Sequence, residues 1–305
     1  MDINNEDLDS AIYKGVNYLI SKQNEDGSIS FNDDIRWKVW ETANTIISID
    51  LVKIKTNSFF NKAIDFLLNV QLEDGSFSYT VTNDRDNYCT ETTAICILAL
   101  AAAKKDVSKN IDFILSKQNT DGSWEIGIPE IIKRRCWPSV TGFVLNTLLY
   151  LNVSSDKISK GIDFLIKNQK EDGSWGSNWV YYDTPYYPLH TILSALSQYG
   201  LEDSKIFKKA ENFIMRNQRS DGHWYTETTE KPRPSKELRT SLALNSLLVS
   251  PDDSYMEHIQ KGIVWLLNQQ ESDGHWNGGY FVNWLGKKED VYSTAMAIRA
   301  LKKIR

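Results

Sequence analysis

One signature recurs six times along the chain, at a spacing that only a repeat architecture explains. It opens with a lysine and an apolar helical run and closes on Gln-x-x-Asp-Gly-x followed by Trp, Phe or Ile, as in KGIDFLIKNQKEDGSW at 160–175 and KGIVWLLNQQESDGHW at 261–276. The other copies lie at 14–29, 62–77, 109–124 and 209–224. Their glutamines, Gln23, Gln71, Gln118, Gln169, Gln218 and Gln270, are separated by 48, 47, 51, 49 and 52 residues.

Each repeat reads as two helices. The first carries apolar residues at helical spacing, such as Ile111, Ile114 and Leu115 around Phe113, with lysines on its other face. It stops at Asp-Gly, where glycine supplies the positive φ of a helix end. After a loop comes a second helix, apolar nearly all round: WETANTIISIDLV, TTAICILALAAA, VTGFVLNTLLYL, PLHTILSALSQYG, RTSLALNSLLVS and YSTAMAIRALKKI. Such helices belong inside, with the amphipathic ones around them. An open superhelix and a closed ring both satisfy the pattern. The terminal repeats are not visibly polar caps, and the repeats run from near residue 6 to residue 301 or later. The expectation is therefore an all-α fold, six helical hairpins closed into an (α/α)6 double barrel, with residues 1–305 forming a single domain.

Composition narrows the partners. The chain has 305 residues with a net charge of −5, which gives no general attraction to nucleic acid. Its longest apolar run, 94–103, is about half of what a bilayer crossing needs. The polar start MDINNEDLDS shows no targeting peptide, and Cys89, Cys96 and Cys136 form no Cys-x-x-Cys pair. A cytoplasmic location is expected. No amphipathic anchor marks a peripheral membrane contact, although a lipid substrate would make one natural, and no feature marks an oligomeric state.

The Gln-x-x-Asp-Gly-x-Trp repeat resembles the QW motif of the terpene cyclase and prenyltransferase superfamily. That group includes squalene–hopene and oxidosqualene cyclases, plant class II diterpene cyclases and protein prenyltransferase β subunits. The resemblance covers the whole chain and implies the α/α barrel, of which full triterpene cyclases carry two. The motif residues read as structural, with Gln and indole locking neighbouring repeats. The alternative is that Trp124, Trp175, Trp224 and Trp276 line a cavity. His223 and His275 sit inside the signature and His258 on an outer helix, so none is expected to be catalytic, while His190, on an inner helix, is ambiguous.

Aligning the inner helices on Thr93, Thr141, Thr240 and Thr294 locates the position where the resemblance implies a proton-donating acid, two residues earlier. It holds Thr42, Glu91, Ser139, Tyr187, Leu238 and Tyr292, of which only Glu91 is acidic. The segment from Tyr88 to Ala94 is similar to the acid-Cys-Thr-Ala segment of oxidosqualene cyclases, with Cys89 and Thr92 as tuning neighbours. The bland reading of Glu91 is an acid favoured by the helix dipole in a first turn. In the sixth repeat, Asp290-Val291-Tyr292-Ser293-Thr294-Ala295-Met296-Ala297 resembles the DxDDTAMA run of plant class II cyclases, with Tyr292 and Ser293 replacing two aspartates. Laid over the zinc site of protein prenyltransferases, Asp290 matches one ligand and Tyr292 stands where a thiolate belongs, so no metal site is expected. Asp33-Asp34 and Asp252-Asp253 lack the third carboxylate of a magnesium-binding DDxxD helix. No cofactor is expected, Mg2+ entering only with a diphosphate substrate.

Basic residues cluster just before or at the start of inner helices: Lys133, Arg134 and Arg135; Lys231, Arg233, Lys236 and Arg239; Lys287 and Lys288. By the same resemblance, Lys287 coincides with a diphosphate-binding lysine of protein prenyltransferases, and Lys236 with a histidine of that function. Arg85 and Arg36 are weaker members of such a rim, and solvated loop cations are the alternative. Aromatics gather at the same ends, among them Trp137, Trp179, Tyr187, Trp284 and Tyr292, with Tyr181, Tyr182, Tyr186 and Phe281, which favours a large apolar ligand.

The reading that follows is a class II-like terpene cyclase that protonates a linear isoprenoid, a prenyl diphosphate foremost. Catalytic roles fall to Glu91, Asp290 and Tyr292, and substrate contacts to Cys89, Trp137, Tyr187, Trp284, Arg134, Arg135, Lys236, Arg239 and Lys287. The alternatives are a prenyltransferase-type enzyme that releases diphosphate and a non-catalytic barrel that binds an isoprenoid or a protein partner.

Overall fold

The computed structural model describes residues 3–31, 35–53, 57–128, 136–176, 184–225, 234–250, 252–279 and 290–305. Twelve α-helices and no β-strand occur among the described residues. The chain divides into a middle unit, Lys22–Asn168, and a terminal unit made of Met1–Ser21 with Gln169–Arg305.

In the middle unit, α2 (Lys38–Val52), α4 (Thr90–Ala102) and α6 (Pro138–Tyr150) pack side by side in that order. The outer helices α3 (Asn57–Val70), α5 (Ser108–Ser116) and α7 (Asp156–Lys167) cover them. In the terminal unit, α10 (Lys236–Leu247) lies between α8 (Tyr186–Gln198) and α12 (Asp290–Ile304). Here α1 (Asn5–Ser21), α9 (Lys205–Arg216) and α11 (Met256–Asn268) form the outer layer. The burial follows the apolar pattern: α10 is buried continuously from Leu238 to Leu247, whereas α9 buries only Phe207, Ala210, Glu211, Phe213 and Ile214.

The inner helices begin earlier than their apolar runs suggest. Polar or proline-containing first turns, which read as loop, are capped into helix: Cys89 Sγ accepts from Thr92 N at 3.5 Å, Ser235 Oγ accepts from Leu238 N at 3.0 Å, and Pro138 occupies the first position of α6.

The repeated signature is a joint between neighbouring repeats. Gln118 Nε2 donates to Gly122 O, closing its own turn, and to Lys157 O at 2.7 Å on the next outer helix; Gln23, Gln169 and Gln218 do the same toward Phe59, Ile206 and His258. The Asp-Gly glycines combine positive φ with close approach. A Cβ on Gly122 would stand 2.1 Å from Lys160 O, and one on Gly222 would stand 2.4 Å from Lys261 O. The aspartate then fixes the residue after the glycine, as when Asp121 accepts from Ser123 N and Oγ at 3.0 and 2.6 Å. Trp124, Trp224 and Trp276 are fully buried, and each Nε1 donates at 2.8 Å to an outer-helix carbonyl, of Ile114, Ile214 and Leu266. The sixth repeat makes the same joint with the first: Gln270 Nε2 donates to Ala11 O at 2.8 Å, and the Trp276 ring lies over Gly15.

Candidate functional site

The starts of five inner helices, α2, α4, α6, α10 and α12, are each pinned by one threonine hydroxyl, and α8 has Leu189 at that position. Thr93 Oγ1 accepts from Phe77 N at 2.9 Å, Thr141 from Trp124 N at 3.2 Å, Thr240 from Trp224 N at 3.1 Å and Thr294 from Trp276 N at 3.0 Å. The first repeat joins the series through Thr42, which accepts from Ile29 N at 2.7 Å. This corrects the sequence alignment, which set Thr42 two residues before the pinned position. Trp40 occupies the acid position of that repeat, and Glu41 follows it. The Thr42-Ala43 pair, matching Thr93-Ala94 and Thr294-Ala295, was the signal that fixes the register.

Glu41 is the buried acid that sequence reasoning missed. It is fully enclosed in the first turn of α2, where Oε2 accepts from Phe31 N at 3.2 Å. Glu91, in the first turn of α4, is 2% exposed. The side of the layer it faces follows from its counterpart on α2. The Trp40 ring meets Phe143 of α6 edge-on at 5.5 Å, past the intervening α4, so the acid position looks onto the concave side of the α2–α4–α6 layer. Ser139, at the same position on α6, buries a hydroxyl that has no hydrogen-bond partner among the described residues.

Cys89 is the N-cap of α4, and burial first, then the Glu91 charge, push its thiol up to about 12, which keeps it protonated. The Tyr79 phenol is raised mainly by burial, with Cys89 and Arg36 as electrostatic neighbours, and its ring lies 5.9 Å from that of Trp37. Trp137 is half-buried at the N-cap of α6. Arg85 is exposed and pairs with Glu73.

In the terminal unit, Asp290 is buried at the start of α12, and its Oδ1 accepts from Gly278 N at 2.8 Å. Ser293 Oγ donates to Asn277 O at 3.1 Å, and Ser235 N to Gly278 O at 3.1 Å, so this carboxylate holds residues 277–279 against the start of α10. Tyr187 and Tyr292 are buried at the acid position of α8 and α12. The Tyr187 carbonyl lies 2.6 Å from His190 Nδ1 and can only accept, which fixes the Nδ1–H tautomer. Of the expected basic rim, Lys236 is exposed at the first residue of α10, whereas Arg239 is fully buried with its guanidinium 4.5 Å from the centre of the Tyr225 ring. Arg134, Arg135, Lys287 and Trp284 lie outside the described residues, as do Lys133, Lys231, Arg233, Lys288, Trp179, Tyr181, Tyr182, Phe281 and Asp33-Asp34. His223 and His275 each bring Nδ1 to the aspartate of their own turn, Asp221 at 2.6 Å and Asp273 at 2.5 Å, the place serine takes elsewhere.

Comparison with known proteins follows the same lines. The family model of the squalene-hopene cyclase C-terminal domain matches residues 2–129 and 130–287. The squalene–hopene cyclase of Zymomonas mobilis is 29% identical over 141 residues, 43% of this chain, and the match spans only 21% of that enzyme's length. Among solved structures, the type II terpene cyclase MstE from Scytonema superposes with a TM-score of 0.80 at 15% identity, over 99% of this chain and 98% of that one. A variant of MstE in complex with its substrate geranylgeranyl dihydroxybenzoate gives a TM-score of 0.77 at 16% identity, over 98% and 97%. The ent-copalyl diphosphate synthase from Streptomyces platensis gives 0.67 at 18% identity, over 87% of this chain and 50% of that one. At such identities the likeness carries the fold: the chain has the all-α, α/α-barrel fold of type II terpene cyclases. No helix among the described residues is long and apolar enough to cross a membrane.

Proposed function

Because the chain belongs to the squalene-hopene cyclase C-terminal domain family, we propose that it is a class II terpene cyclase that protonates a linear isoprenoid, a prenyl diphosphate foremost, and lets the cation close into rings. What supports this reading is the buried carboxyl of Glu91 in the first turn of α4, the position where the resemblance puts the acid. Protonating an alkene needs a carboxylic acid that keeps its proton until the substrate arrives, a state that dry apolar surroundings favour. The proton moves from the Glu91 carboxyl to one alkene carbon, and the tertiary cation left behind is attacked by the next alkene. Loss of a proton ends the sequence, so the product is an isomer of the substrate. Aromatic faces such as Trp40 suit the passing cation. No bond to the head group breaks, and Mg2+ would serve only to partner a diphosphate. The thiols of Cys89, Cys96 and Cys136, which form no disulfide among the described residues, suit the reducing cytoplasm.

The test is mass spectrometry of products from a panel of prenyl diphosphates, with and without Mg2+. The expected product has the substrate's mass and keeps its diphosphate, and Glu91→Gln lowers turnover by roughly 10²–10⁴-fold while substrate still binds. Released diphosphate would overturn the reading in favour of ionisation or prenyl transfer. Glu41 supports a second assignment of the donor, since it too is a buried first-turn acid. Turnover that survives Glu91→Gln and is lost in Glu41→Gln would move the proton to Glu41.

A further inference from the structure

We infer, on the basis of Glu91 as proton donor, that Tyr88 and Glu125 are its positioning residues: their hydrogen bond locks the start of α4 so that the acid is held toward the concave side of the middle unit. The Tyr88 hydroxyl donates to Glu125 Oε1, 37 positions away and in the next repeat. The repeat architecture does not require this bond. Five residues before the pinned position, where α4 has Tyr88, the other repeats carry Trp37, Cys136, Thr184, Ser235 and Glu289. Directly after the signature, where the third repeat has Glu125, they carry Ser30, Ser78, Gly176, Tyr225 and Asn277. Phenol and carboxylate are thus paired once, and at the one inner helix with an acid two residues before the pinned position.

The phenol is wedged in place. Tyr88 is buried, its ring meets Phe113 edge-on at 5.2 Å, and Lys117 Nζ stands 4.3 Å from the ring centre. Gly127 lies against the same ring: at its φ of +82° a Cβ would stand 2.0 Å from Tyr88 Cε2. Burial first, then the bond to Glu125, raises the phenol, so it stays a donor. The main chain is fixed alongside. Cys89 N donates to Phe77 O at 2.8 Å and Thr90 N to Ile126 O at 2.9 Å, so residues 88–90 are held between residue 77 and residues 125–127. Glu91 follows in the first turn of α4, and any shift of this start swings its carboxyl. A displacement of about 1 Å at a reacting group costs up to about 10²-fold in rate.

Hydrogen exchange measures the lock without substrate. In Tyr88→Phe, which keeps the ring and loses only the hydroxyl, fragments spanning 88–93 should exchange about tenfold faster or more, with fragments of the terminal unit unchanged. Circular dichroism checks the fold. Glu125 is half-buried, and Glu125→Ala supplies a second variant with the same expected rise. Turnover of geranyl, farnesyl and geranylgeranyl diphosphate then reads the effect on the acid. Tyr88→Phe and Glu125→Ala should each lower kcat about 10–100-fold, with KM within about twofold of wild type. Glu125→Gln, whose amide oxygen accepts the same bond, should keep most of the activity. Added to Glu91→Gln, Tyr88→Phe should lower the residual turnover no further, a result that a merely structural role would not give.

Unchanged exchange at 88–93, or wild-type kcat in Tyr88→Phe while Glu91→Gln is inactive, would overturn this proposal alone. Turnover that survives Glu91→Gln, or none by the wild type on all three substrates, would overturn the donor reading, and with it this proposal, which rests on that reading.

Discussion

His190 is kept neutral by its surroundings, and this ties the stability of the terminal unit to pH. Burial is the main cause, and the charges of Arg299 and Lys303 add to it, so that its pKa is pushed down to about 3. In the unfolded chain an imidazole titrates near 6.5. Between these values the unfolded chain binds the extra proton, so the contribution is complete above pH 6.5 and is lost as pH falls toward 3. By pH 5 the loss amounts to about 2 kcal/mol. Urea unfolding at pH 7 and pH 5 should show that fall in wild type and little of it in His190→Gln. An equal fall in the variant would place the titrating group elsewhere. Aspartates such as Asp26 and Asp121, whose pKa values hydrogen bonds to lysine or serine hold down, act in a lower window, below their ordinary value of 3.8.

At the level of the helix, the interlocking indole and glycine decide how closely two repeats approach. Three of the four outer helices that follow a signature ending in Trp carry glycine, Gly161 after Trp124, Gly262 after Trp224 and Gly15 after Trp276, and the fourth has Ala210 after Trp175. The ring takes the space a side chain would need. A Cβ on Gly262 would lie 2.5 Å from Trp224 Cζ3, and the indole cannot retreat because its Nε1 is bonded to Ile214 O. Alanine gains about 1 kcal/mol of helix propensity, and overpacking costs about 1–3 kcal/mol. Gly262→Ala should therefore lower the melting temperature, and Gly15→Ala, with its nearest contact at 3.0 Å, should do so less. A higher melting temperature in Gly262→Ala would show that the ring yields. These joints were legible in the amino-acid pattern because Gln, Asp-Gly and Trp each have one backbone task at a fixed spacing. The register of the inner helices was not. A helix apolar on every side carries no phase, so α2 was aligned two residues out and Glu41 passed unseen until the hydroxyl of Thr42 fixed the position. Exposure was equally hidden, and Lys236 and Arg239, three residues apart, proved to be a surface and an interior cation.

At the scale of the whole chain, the decisive contacts are those between residues far apart in sequence. Gln270 reaches Ala11 across 259 positions, and Arg305 Nη2 reaches Asp9 Oδ2 at 2.8 Å across 296. In an open solenoid each repeat touches only its sequence neighbours, and removing the first one leaves the last intact. Here α1 lies against α11 and α12 and buries Leu8, Ile12, Val16 and Leu19, each worth about 1.5–3 kcal/mol when removed from water. That sum is comparable to the whole stability of an ordinary domain. Deleting residues 1–21 should therefore uncover Trp276 and Ile298, which flank Gly15, and damage the last repeat as well as the first. The expected outcome is a large fall in melting temperature, with proteolysis cutting inside 256–305, and recovery of both when a peptide of residues 5–21 is added. If the shortened chain melted as before and residues 256–305 stayed protected, α1 would be an appendage, and the sixth repeat would hold without the first.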